Sequence, residues 1–309
     1  LEANVKAVKF DHFGGAEVLE LAEVERPAPG AGEVLVAVRA AAINPGEIAI
    51  REGLLEARWP TTFPSGEGSD FAGVVEVLAE GVNIYAVGDE VCGWSDQRAS
   101  HAEFVVAPTS QLAPKPPSVR WEVAGSLCVA PFAAYASVKA VALEPGEVVV
   151  VSAAAGGVGS VAVQLARHAG AKVIGLASER NHDWLRSKGV IPVSHGEGQR
   201  ERILAAADGR LDAFIDTFGG GYVDLAIELG VSAQRINTIA DLPAVARLGV
   251  HGEGTGSVSS EQTLREIVEL VADGVIEIPI ERTYPLAEVQ AAYRELAKRT
   301  ARGKIVLLP

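Results

Sequence analysis

Residues Val148 to Ala166, VVVVSAAAGGVGSVAVQLA, run nineteen positions without a charged side chain. A run of that length is enough for a membrane span, for a piece of buried core, or for a seat that holds an anion. Its middle argues against one continuous helix, because Ser152 to Gly159 is packed with very small residues. Four consecutive valines, Val148 to Val151, read as a strand buried on both faces, as in parallel sheets. From Val158 onward the apolar residues fall at Val158, Val161, Ala162, Leu165, Ala166 and Ala169, which is helical spacing. The stretch therefore predicts strand, glycine turn and helix, and no membrane span.

Gly156, Gly157, Val158 and Gly159 lie where the strand hands over to the helix. Missing side chains let the backbone turn tightly and let a ligand approach main-chain N–H groups. The helix N-terminus adds unpaired donors and a partial positive charge, a combination suited to a pyrophosphate. Glycines that merely allow close helix–strand packing would give the same short motif. Lys172 to Ala177 reads as the next strand and completes a βαβ unit, the setting in which such a turn binds a dinucleotide.

At 309 residues and 48% hydrophobic composition, the chain can fill two cores. A net charge of −13 repels nucleic acid and anionic membrane surfaces, so neither is expected as a partner. The first thirty residues show no basic stretch followed by an apolar one, so no secretory leader is expected there and a cytoplasmic setting is. Cys92 and Cys128 are too few and too isolated for a disulfide framework. Short β-rich runs with Gly/Pro punctuation fill the chain to about residue 115, at 5–10, 18–24, 34–42, 71–78, 90–93 and 104–107. Beyond the proline-rich segment Ala113–Ser118, strands and helices alternate, which predicts a parallel, doubly wound α/β sheet. After the Gly/Ser-rich link at 251–260 come a helix at 264–272, a strand near 276–280, a helix at 286–298 and a closing strand.

The segments GEGSDFAGVV, VGDEVCGW, AAAGGVGSVAVQLARHAGAKVIGLAS, DAFIDTFGG and GKIVLLP, in this order along the chain, resemble the medium-chain dehydrogenase/reductase superfamily. More narrowly, they are similar to its zinc-free quinone oxidoreductase, or zeta-crystallin-like, branch. The resemblance covers the whole chain. It implies an α/β fold with a Rossmann sheet and a GroES-like β-rich substrate domain, an active-site cleft where the two meet, and a homodimer. The expected division is 1–118 for the first part of the GroES-like domain, 119–255 for the Rossmann domain that binds NADP, and 256–309 for the return to the first. Zinc members carry a cysteine, a Gly-His-Glu motif and a third ligand; the corresponding places here hold Asn44, Ser69 and the neighbourhood of Val129. No metal is expected. His101 and Glu103, two apart, read as a solvated strand edge rather than a ligand pair.

In NAD-binding Rossmann folds an acidic residue about twenty positions past the glycines grips the ribose. Here that region carries Ser178, Glu179 and Arg180. Serine removes a charge that would repel a 2′-phosphate, and Arg180 offers a fork of donors to it, so NADPH is the expected cofactor. Glu179, one register away, would favour NAD. The resemblance puts His195 beside the same phosphate. It also implies cofactor contacts from Phe218 and Gly219 on the adenosine side, Thr238, Ile239 and Ala240 beside the nicotinamide, and Lys304 near the domain junction.

The chemistry expected is hydride transfer from NADPH to a small-molecule quinone or enone. Asn44, which the resemblance sets in the cleft and against the cofactor, is the candidate to donate to the acceptor oxygen as negative charge develops there. Glu47 is the second candidate catalytic residue, with a structural or surface ion pair to Arg51 as the plain alternative. An enoyl or alkenal reductase is the rival within enzymes. A cofactor-binding but catalytically weak crystallin-like or regulatory protein is the rival outside them.

Overall fold

The structure, a computed structural model, describes residues 4–309. The chain forms two compact units. The first holds residues up to Val129 together with Ser260–Asp273 and Ile280–Pro309, and the second holds Ala130–Ser259 with Gly274–Pro279.

The first unit opens with strands β1 (Asn4–Phe10), β2 (Glu20–Glu25) and β3 (Glu33–Ala42), and a short helix α1 (Pro45–Arg51). Strands β4 (Ser65–Gly66), β5 (Asp70–Leu78), β6 (Glu90–Trp94), β7 (Phe104–Pro108) and β8 (Leu112–Pro114) follow, then the short helix α2 (Trp121–Ala124). Strand β1 pairs antiparallel with β2 and β4. The ten residues of β3 form the spine of the larger sheet, pairing antiparallel with β5 on one side and with β7 along its first half. Its alternate valines, with Phe71, Val75, Val91, Val105 and Leu112, make a core from which water is excluded.

In the second unit, α3 (Val129–Ala140) leads into β9 (Val148–Val151), α4 (Gly157–His168), β10 (Lys172–Leu176) and α5 (His182–Ser187). Next come β11 (Ile191–Val193), α6 (Gln199–Ala206), β12 (Ala213–Asp216), α7 (Tyr222–Glu228), β13 (Ile236–Thr238) and α8 (Leu242–Leu248). The sheet order is β11-β10-β9-β12-β13, and every pairing is parallel. The four valines of β9 are all buried, flanked by β10 and β12, as their unbroken apolar run predicts. Burying each such side chain fully contributes roughly 1.5–3 kcal/mol.

The chain then returns to the first unit with α9 (Glu261–Ala272), β14 (Ile280–Pro285), α10 (Val289–Ala297) and β15 (Lys304–Leu308). β15 lies between β14, parallel, and β3, antiparallel through Val306–Ala42 and Leu307–Ala41. The expected strand near 276–280 is not a ladder. Gln164 on α4 donates to the Glu277 carbonyl (2.8 Å) and accepts from the Glu277 N–H (2.9 Å), so a side-chain amide takes the bonds a neighbouring strand would have made. Pro279 has no N–H to donate, and the strand begins only at Ile280. Helices α1, α2, α3 and α8 are not among the elements the sequence pattern predicts. No helix among the described residues is long and apolar enough to cross a membrane.

Candidate functional site

The glycine turn sits at the carboxyl end of the central strand β9. Ser160 N–H bonds to the Gly156 carbonyl at 2.9 Å, the first i→i−4 bond of α4, so the N–H groups of Gly157, Val158 and Gly159 precede the helical ladder. Gly156 is the N-cap, and no side chain caps the helix in their place. Gly159 has a separate reason to be glycine. A Cβ there would lie 2.2 Å from the Ala153 carbonyl oxygen, so this position serves close helix–loop packing, while the open end of the helix offers the donors.

Strand β10, adjacent to β9, ends at Leu176, and Ser178, Glu179 and Arg180 follow it directly, all exposed. Arg180 makes no ion pair or hydrogen bond among the described residues, unlike a surface arginine spent on a neighbouring acid. His195 is exposed in the loop after β11. That loop is wrapped around the Arg202 guanidinium, which donates to the carbonyls of Ser194 (2.9 Å) and Glu197 (2.8 Å). Arg202, unforeseen from the sequence, thereby fixes the segment that presents His195.

The other expected contacts lie past the ends of β12 and β13. Phe218 and Ile239 are half-buried, Gly219 and Thr238 are buried, and Ala240 is exposed. They are organised by Asp216, fully buried, whose carboxylate accepts from the Ser152 hydroxyl (2.7 Å), the Phe218 and Gly219 N–H groups (both 3.0 Å) and the Thr238 hydroxyl (2.8 Å). The signal for it was a carboxylate ending the otherwise apolar strand AFID.

Asn44, Glu47 and Lys304 belong to a buried polar cluster inside the first unit. Asn44 follows β3, and its side-chain amide donates to Glu47 (3.1 Å) and to Asp70 (3.1 Å), while its oxygen accepts from the Lys304 ammonium. Lys304 also donates to the Ile43 carbonyl (3.1 Å) and pairs with Asp70 at 3.5 Å. The Glu47 carboxylate takes four donors: Asn44 N–H (2.7 Å), Asn44 Nδ2, Ser69 N–H (3.1 Å) and the Tyr293 hydroxyl (2.7 Å). Asn44, expected as a donor to a substrate oxygen, thus has both amide hydrogens in use and is 3% exposed. Arg51 pairs with Glu67 rather than Glu47, donates to the Gly15 carbonyl, and stacks over the Tyr293 ring at 4.5 Å.

His101 departs from the solvated edge expected of it. It is buried, because Gly68 leaves the room its ring fills: a Cβ at 68 would sit 2.2 Å from the imidazole. Burial pushes the His101 pKa down and those of Asp70 and Tyr293 up. Glu103 accepts from the Lys6 N–H at 2.6 Å on the surface, well apart in role. Cys128 lies in the core.

A family profile described as zinc-binding dehydrogenase matches residues 128–307, more than half of the chain. One described as alcohol dehydrogenase GroES-like domain matches residues 30–145. The structure of the quinone oxidoreductase from Coxiella burnetii superposes with a TM-score of 0.89, covers 99% of each chain and is 30% identical. The chain is a medium-chain dehydrogenase/reductase. This medium-chain dehydrogenase/reductase is 29% identical to the quinone oxidoreductase of Pseudomonas aeruginosa, over 98% of its own length and 99% of the relative's. It is 27% identical to that of Rattus norvegicus over 98% of both. It is also 34% identical, over 89% of its length, to a part of the polyketide synthase GfsB of Streptomyces halstedii, of which it spans only 5%. The donors around Asn44 do not fit the metal in the profile's description. Zinc takes thiolate, imidazole and carboxylate ligands, whereas here amide and carboxylate oxygens already surround the Lys304 ammonium. Among the described residues no group of three or more His, Cys, Asp and Glu side chains is arranged to hold a metal ion.

Proposed function

We propose that the chain is an NADPH-dependent reductase that passes hydride to a quinone or conjugated carbonyl without zinc. The observation that carries this is the uncapped start of α4 beside β10, whose end bears exposed Ser178 and an unpaired Arg180. The N–H groups of Gly157, Val158 and Gly159 would take the pyrophosphate. Arg180 would take the 2′-phosphate, with Ser178 adding no opposing charge and His195 as a further donor. Phe218, Gly219, Thr238, Ile239 and Ala240 supply the remaining contacts from the ends of β12 and β13. When bound, NADPH supplies the hydride. Asn44 and Glu47 act as positioning residues, because their polar atoms are committed to one another, to Asp70, to Lys304 and to Tyr293. The match to part of a polyketide synthase favours a second reading, an enoyl or alkenal reductase.

Steady-state consumption of NADPH and NADH should be measured with small quinones, 2-alkenals and enoyl thioesters, before and after exhaustive chelation. Quinone-dependent turnover with NADPH, unchanged by chelation, is expected. Turnover confined to alkenals or thioesters would move the assignment to the second reading. Cofactor binding with no turnover would make the protein a binding module, and loss of rate on chelation would overturn the zinc-free assignment.

A further inference from the structure

Asp216 is buried without an ionic partner among the described residues, and its charge is met only by hydrogen-bond donors. Those donors come from three strand ends. Oδ1 accepts from Ser152, just past β9, and from Phe218 and Gly219, just past β12 itself. Oδ2 accepts from the Thr238 hydroxyl at the end of β13 (2.8 Å) and shares the Gly219 N–H (3.2 Å). The hydroxyl orientations are forced. Ser152 Oγ already accepts from the Thr217 N–H (2.8 Å), so its hydrogen goes to Asp216. Thr238 Oγ1 already accepts from the Ala240 (3.2 Å) and Asp241 (3.0 Å) N–H groups, so its hydrogen goes to Asp216 as well.

We infer that Asp216 is a positioning residue for the cofactor seat, with one oxygen setting the loops past β9 and β12 and the other setting segment 238–241 past β13. The inference rests on the cofactor reading above, in which that segment faces the nicotinamide half and Ser178 with Arg180 faces the adenosine half. The two oxygens make the halves separable. In Asp216→Asn the retained oxygen can serve Ser152, Phe218 and Gly219. The new NH2 then meets a Thr238 hydroxyl that has no lone pair left to offer, so segment 238–241 must shift while the loops past β9 and β12 keep their bonds. Thr238→Val removes the same link from the other side, together with the acceptor for the Ala240 and Asp241 N–H groups, with almost no change of shape, and Thr238→Ser restores all three bonds.

The experiment is calorimetric titration of the parent and the three variants with NADPH and with adenosine 2′,5′-bisphosphate, which probes the adenosine end alone. Asp216→Asn and Thr238→Val should weaken NADPH roughly ten- to a hundredfold, the worth of one or two buried hydrogen bonds that include a charged acceptor. Bisphosphate affinity should stay at the parent's value, and Thr238→Ser should bind both like the parent. Should Asp216→Asn fail to fold, Thr238→Val and its serine rescue decide the matter. Equal losses for both ligands, or no loss for NADPH, would overturn the positioning role while leaving the cofactor reading intact. A parent protein that binds neither ligand would overturn the cofactor reading, and this inference with it.

Discussion

Glu67→Gln tests the electrostatics of the buried cluster in the first unit. Three carboxyl groups, Glu47, Glu67 and Asp70, share that cluster with two basic side chains, Arg51 and Lys304, and with an imidazole that burial keeps neutral. Three negative charges against two positive leave one uncompensated, and the fold removes it by holding a proton. Burial pushes the Glu67 carboxyl up from 4.5 to about 8, against the pull of Arg51 and with added repulsion from Glu47. An unfolded chain gives up this proton near pH 4.5, whereas the folded chain keeps it until about pH 8. The folded state therefore binds the extra proton within that window. The stability this contributes is fully present below the window, and it is lost as pH rises through it. Each pH unit is worth about 1.4 kcal/mol, so the group should take roughly 4–5 kcal/mol from the unfolding free energy across the window. In the variant, a neutral amide replaces a neutral acid and still offers Arg51 an oxygen. Urea unfolding from about pH 5 to about pH 8.5 should give a flatter stability profile for the variant, which overtakes the parent toward the alkaline end. Parallel profiles would refute the reasoning. So would a variant that falls about 3–5 kcal/mol below the parent at neutral pH, the mark of a broken buried ion pair.

Arg180→Ala should weaken NADPH binding about ten- to a hundredfold, a charge-assisted contact of roughly 1.5–3 kcal/mol, and leave NADH nearly untouched; equal losses in fluorescence titrations with the two would show that Arg180 has no part in recognising the 2′-phosphate. Glu47→Gln turns an NH2 toward a buried donor and should lower the unfolding free energy by about 1–3 kcal/mol, and Asn44→Ala should lower stability and kcat together with NADPH affinity retained. If Asn44→Ala keeps its full stability yet loses about a hundredfold or more in single-turnover rate, the amide is a direct oxyanion donor rather than a positioning residue.

The parts of the fold visible in the sequence are those with a one-dimensional signature. Val148–Val151 announce a strand covered on both faces because no polar side chain interrupts them, and α4 announces itself by its spacing. The resemblance to medium-chain dehydrogenases/reductases carries the fold as a whole. What stayed hidden depends on partners far away along the chain. Nothing local to VIEIP shows that Gln164 will occupy the Glu277 main chain and delay the strand to Ile280. His101 looked like a surface residue because the vacancy it fills is made by the missing side chain of Gly68. Asn44 and Glu47 read locally as reactive groups, but part of what holds them, the Lys304 ammonium on Asn44 and the Tyr293 hydroxyl on Glu47, comes from more than two hundred positions later. Asp216 merely ends the apolar strand AFID, and only the meeting of three strand ends gives it a role.

The return of the chain to its first unit has a consequence for biosynthesis. β3 completes its pairing with β15, and Glu47 and Asn44 find Tyr293 and Lys304, across sequence separations of 246 and 260 residues. Residues 130–259, by contrast, form nearly all of the second unit from one continuous stretch. On the ribosome that stretch emerges whole while β3 still has an open edge and its polar cluster lacks two of its members. Long-range pairing of this kind is slow and leaves strand edges open to aggregation meanwhile. The middle of this chain is ready to fold before its beginning is.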